Sequence, residues 1–84
     1  MNEDKIRRDA ADARRLRADP AFVAILGKVR DEQMCIFAQS GASDTLLREE
    51  AHTILRALSK IEQYLDSDVL SGEMLERNDK RAAP

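Results

Sequence analysis

Between Asn2 and Ala83 this chain carries a single proline, Pro20, and its position limits the fold more than any other residue. Proline has no backbone N–H and tolerates only the first turn of a helix, where that donor has no intrahelical partner. Asp19 stands directly before it, a residue suited to cap a helix N-terminus. The Asp19-Pro20 pair therefore predicts a helix that begins at residue 20. Glycine supplies the remaining punctuation, at Gly27, Gly41 and Gly72. Gly41 suits the left-handed residue just past a helix end, so a helix over 20–40 is expected, followed by a turn through Gly41-Ala42-Ser43-Asp44. Ser43 or Asp44 then caps a further helix over 44–71. Residues 3–18 read as a short N-terminal helix, with Glu3–Arg7 and Asp4–Arg8 pairs at favourable spacing. Residues 73–84 read as a partly disordered tail with a turn or two of helix. The expected fold is all-α: one domain over 1–84, an antiparallel helical hairpin of two long helices with a short N-terminal helix.

The apolar pattern supports that layout. At 100° per residue, Phe22, Ile25, Leu26, Val29, Gln33, Ile36 and Phe37 share one arc of the first long helix. In the second, Leu47, Ala51, Ile54, Leu58, Ile61 and Leu65 follow a heptad seam, the spacing that packs helices at a shallow angle. Leu46, Leu55 and Tyr64 flank the seam and widen the apolar surface beyond what one partner helix covers. With Met34 and Val23 they form the expected protein-interaction surface. Gly27 falls outside the apolar arc and is either a weak point in the helix or a place of close backbone approach. Gln33 is a lone amide in the arc, which either specifies register or sits at an edge open to water.

Size makes such a surface useful. A core built from 84 residues rarely supplies more than about 3–5 kcal/mol without a staple. The one cysteine, Cys35, cannot form an internal disulfide, and is expected as a small apolar filler at the edge of the arc in a reducing compartment. Two routes to stability remain, very regular helix packing or burial against another copy or a partner, and the second is the one expected. The charged N-terminus lacks the apolar run of a secretory signal, and no segment has the apolar length to span a bilayer, so no membrane role is expected.

Catalysis requires convergent polar groups in a pocket, and a chain of two or three helices has little room for one. His52 lies opposite the heptad seam and has no His or Cys three or four residues away with which to hold a metal. The acidic pairs Glu49-Glu50 and Asp66–Asp68 lack calcium-loop spacing and fit a solvated outer face. No enzyme activity, cofactor or small-molecule substrate is expected. Charge is graded along the chain: residues 1–17 hold six bases and four acids, whereas residues 41–84 hold six and nine. Arg7, Arg8, Arg14 and Arg15 form a candidate nucleic-acid face, though Asp4 and Asp12 crowd it and no aromatic side chain is interleaved for base stacking.

From residue 13 to residue 75 the order of motifs is DARRLRA, DPAFVAIL, RDEQM, SGASD and LSGEML. In that order the chain resembles short helical proteins encoded in the DNA-packaging and head gene module of tailed bacteriophages and prophages. That group tends to stop soon after the late glycine, whereas here ERNDKRAAP follows. The resemblance implies a small non-enzymatic phage protein, a virion structural or head-assembly factor. Its partners would be itself, as a homo-oligomer, or a larger phage head protein, in the host cytoplasm or the virion. The alternatives are a nucleic-acid-contacting packaging or regulatory subunit and an inhibitor of a host or defence protein.

Overall fold

The computed structural model describes residues 2–82 and is all-helical among them. Helix α1 spans Glu3–Ala18, α2 spans Pro20–Gln39 and α3 spans Thr45–Ala82. Asn2 opens α1, its side-chain oxygen accepting from the N–H of Asp4 at 2.9 Å and of Lys5 at 3.3 Å. Glu3 and Asp4 in the first turn and Arg15 and Arg17 in the last complement the helix dipole. A proline at residue 20 pushes Asp19 out of the helical region, and Asp19 is extended at φ −78°, ψ 112°. That one residue serves two helices. Its N–H donates to Leu16 O, closing α1, while its carboxylate accepts from the N–H groups of Ala21 and Phe22, opening α2.

The far end of α2 differs from expectation. No glycine among the described residues has positive φ, so Gly41 does not act as a left-handed cap. Ser40 ends the helix in an extended conformation instead, and its hydroxyl donates to Phe37 O at 2.7 Å. Asp44 turns its carboxylate back to accept from Gly41 N–H at 2.8 Å, and Arg48 donates to Gly41 O. The turn is held by these side chains and by the backbone hydrogen bond that Asp44 N–H donates to Gly41 O at 3.0 Å, rather than by a left-handed glycine.

A second correction concerns Gly72, which does not end the helix. Helix α3 continues through it to Ala82, so the stretch expected as a loose tail is mostly helix; its last two residues lie outside the described ones. The glycine serves packing instead. A Cβ built on Gly72 would come within 2.4 Å of Ala10 Cβ, so the glycine lets α1 and α3 approach closely. Gly27, by contrast, would meet nothing within 4 Å and is the weak point of the two readings offered for it.

At 1.5 Å per residue, the 38 residues of α3 reach about 57 Å, close to the combined length of α1 and α2. The molecule is accordingly elongated, 65 × 24 × 17 Å. Inter-helix ion pairs run in opposite order along the chain: Arg30 with Glu62, Arg17 with Asp66, Arg14 with Glu76 and Arg7 with Asp79. The first part of α3 thus lies along α2 and its second part along α1. Against α2 the seam uses Ala51 and Leu58, buried, with Ile54 and Leu65 half-buried. Against α1 the buried residues of α3 are Val69 and Gly72, and the buried residues of α1 are the small Ala10 and Ala13.

The resulting core is thin. Among the described residues only Leu58 and Val69 are both large and buried, each contributing about 1.5–3 kcal/mol by removal from water. Gln33 is buried within the α2 arc at 9% exposure, and none of its side-chain atoms is both sealed from solvent and unpartnered.

Candidate protein-binding surfaces

Two contacts orient the broad faces of the α2–α3 layer. Arg30 and Glu62 are ion-paired across it, and Phe37 shares a shallow cleft with Thr45, Arg48, Glu49 and His52. These residues lie to one side of the buried seam. Stepping 100° per residue from them, Val23 and Met34 on α2 and Leu55 on α3 fall on the same side. Leu46, Ile61 and Tyr64 on α3, with Ile25 on α2, fall on the other. The five residues expected to form one interaction surface are therefore divided between two faces.

Exposure divides them further. Leu46 is 82% exposed, Tyr64 70%, Met34 55% and Val23 52%, but Leu55 is half-buried. Leu55 and Tyr64 flank opposite sides of the seam, nine residues apart, so they cannot line one edge. Ile25 and Phe37, expected in the buried arc, are 59% and 46% exposed. The buried line of α2 is narrower than the arc, because α3 covers only Phe22, Leu26, Val29, Gln33 and Ile36 at alternating four- and three-residue spacing. Ile25, expected in the arc, and Leu47 and Ile61, expected in the heptad seam, are exposed apolar residues that the pattern assigned to the interior. Cys35, expected as a filler at the edge of the arc, is exposed, since it lies on the side of α2 away from α3.

The four arginines do not make one open face either. Arg7 reaches Asp79 at 2.5 Å and Arg14 reaches Glu76 at 3.8 Å, both across to α3. Arg15 pairs with Asp12 at 3.1 Å on its own helix. Arg8 makes no ion pair among the described residues. The hydrogen bond to Asp79 raises the Arg7 guanidinium above its ordinary pKa, and the hydrogen bond to Asp9 does the same for the Lys5 ammonium. Two of the four charges are thus committed to holding α1 against acids of α3.

His52 is exposed, and the described residues contain no group of three or more His, Cys, Asp or Glu arranged to hold a metal. The clefts are shallow; one of about 160 Å³ at the α1–α2 corner is lined by Arg17, Phe22, Val23, Leu26, Arg30, Glu62 and Leu65. No described helix is long and apolar enough to cross a membrane. Comparison with protein-family models, curated proteins and solved structures finds no match.

Proposed function

We propose that this chain is a non-enzymatic protein-binding module: an antiparallel helical hairpin, its first arm broken at Asp19-Pro20, that lends exposed apolar helix faces to a larger assembly. One observation carries this reading. The best-buried residues are alanines, while Leu46, Tyr64, Ile25 and Met34 are more than half exposed. A chain that keeps its large apolar side chains outside gains most of its hydrophobic stabilisation only when something covers them. On the motif resemblance given above, the assembly is a tailed-phage head, and the chain is a virion structural or head-assembly accessory factor. Its compartment on this reading is the host cytoplasm or the particle. The pairing of Arg7 and Arg14 with α3 favours protein binding over the nucleic-acid alternative, since those charges are already partnered.

The test is direct binding of the purified chain to purified capsid and portal proteins, followed by co-sedimentation and hydrogen exchange. Saturable binding that protects α2 and α3 amides supports the module. A stably folded monomer that binds none of these proteins, or itself, overturns it.

A further inference from the structure

The seam of α3 fixes what its outer side presents. Buried Ala51, Leu58 and Gly72, with half-buried Leu65 between them, recur every seven residues, and Asp79 continues the line where it reaches Arg7 of α1. Residues two places before and two places after each of these fall on the far side of the helix, in two adjacent columns. Every residue of those columns from Glu49 to Arg81 is exposed. Their charged members are Arg56, Lys60, Arg77 and Arg81, four bases against the one acid Glu49. None of the four bases makes an ion pair among the described residues. Glu50 borders the columns on one flank, and Asp66 and Glu73 border them on the other, alongside His52 and Lys80.

A cationic face on a chain of net charge −2 follows from how the helices pair. Arginines of α1 and α2 hold Asp79, Glu76, Asp66 and Glu62 by ion pairs, four of the eight acids of α3. The bases of the outer columns have no such partners.

Their spacing narrows the ligand. Arg56 and Lys60 stand one turn apart, and Arg77 and Arg81 repeat them 21 residues later. That interval is three heptads, so both pairs keep one direction relative to the seam, and at 1.5 Å per residue they lie about 32 Å apart. A nucleic-acid duplex brings the same strand back to one side once per turn, roughly every 34–36 Å. Long arginine and lysine side chains span the difference. Between the pairs stand Gln63 and Ser67, of the kind that hydrogen-bond phosphate oxygens, with Leu70 and Met74. Two apolar residues fall short of the apolar face with which a helix lies in a bilayer surface. The columns hold no aromatic residue, so a single strand finds no stacking platform there.

We infer that the outer face of α3 binds the phosphate backbone of double-stranded nucleic acid without regard to sequence, its two cationic pairs meeting successive turns of one strand. This goes beyond the protein-binding reading and leaves Ile25, Met34 and Tyr64 available for it. It also differs from the arginine face expected on α1, where Arg7 and Arg14 are held by α3.

Fluorescence anisotropy of a labelled duplex of about 24 base pairs, titrated with the full chain at several salt concentrations, tests the inference. Four phosphate contacts predict an affinity that falls roughly 150-fold between about 50 and 200 mM salt. Arg56→Ala with Lys60→Ala, or Arg77→Ala with Arg81→Ala, leaves two contacts and should reduce that fall to roughly twelvefold. Arg8→Ala with Arg15→Ala, on the side of α1 away from α3, should leave it unchanged. All six residues are exposed, and circular dichroism checks that each variant keeps its helices. The unmodified chain supplies a test that needs no variant: a hairpin duplex of about eight base pairs, shorter than one turn, should show only the twelvefold fall. No duplex binding at low salt overturns the inference, as does a salt dependence that the four α3 bases do not change. Equally tight binding to polyglutamate or to phosphatidylserine vesicles at the same salt overturns the choice of a duplex. Binding to capsid or portal protein is measured separately, so the protein-binding reading stands or falls on its own.

Discussion

Replacing Gly72 with alanine tests the packing of α1 on α3 at its tightest point. In an exposed helix interior the change stabilises by about 0.8–1 kcal/mol through helix propensity. Here the added Cβ lies 2.4 Å from Ala10 Cβ and 3.9 Å from Ala10 Cα. Non-bonded carbons settle at about 3.5–4.0 Å, so α1 must retreat by roughly 1 Å or more. Overpacking of that kind costs about 1–3 kcal/mol. Gly27→Ala is the internal control, because its Cβ meets nothing within 4 Å and it gains the propensity term alone. The two variants should therefore differ by about 1–3 kcal/mol, Gly27→Ala being the more stable. Urea unfolding followed by far-UV circular dichroism, at one fixed protein concentration, measures the difference. Should α1 lift away rather than the whole chain unfold, faster amide exchange over Ile6–Leu16 reports it. Adding Ala10→Gly to Gly72→Ala removes the facing methyl and should recover part of the loss, a non-additivity expected only of residues in contact. Equal stabilisation by both glycine substitutions, with α1 exchange unchanged, would refute the close approach.

Three further predictions follow from the same contacts. Asp19→Ala removes the acceptor for Ala21 and Phe22 N–H and should cost about 0.5–2 kcal/mol, whereas Asp19→Asn should lose much less in the same urea titration. Leu58→Ala truncates one of the two large buried side chains and should cost about 2–5 kcal/mol, enough to abolish cooperative thermal unfolding in so small a chain. Asp79→Asn combined with Glu76→Gln unpairs Arg7 and Arg14. Amide exchange in α1 should quicken at low ionic strength and match the parent in 1 M salt, because pairs this exposed are readily screened.

Local chemistry was legible in the sequence where one residue decides the outcome. Asp19-Pro20 announces the break between α1 and α2 because a proline and its predecessor have few backbone options. Pairwise packing was less legible. Gly72 reads as a terminator when its neighbours in sequence are considered, and its close approach to Ala10, sixty-two residues away, is a pairing that the sequence pattern does not display. The arginines show the same limit. Their spacing on α1 suggests a common face, yet Glu76 and Asp79 draw Arg7 and Arg14 toward α3 and leave Arg8 and Arg15 pointing elsewhere. For the candidate surface, periodicity found Leu46 and Tyr64 but grouped them with Leu55, since a flank named without its side merges two faces.

Whether this thin-cored chain is completed by association is measured most directly by the concentration dependence of its unfolding. A urea midpoint determined over a roughly hundred-fold range of protein concentration should rise with concentration, as mass action requires when folding and pairing are linked. A midpoint that stays constant across that range, together with a monomer mass throughout, would contradict it.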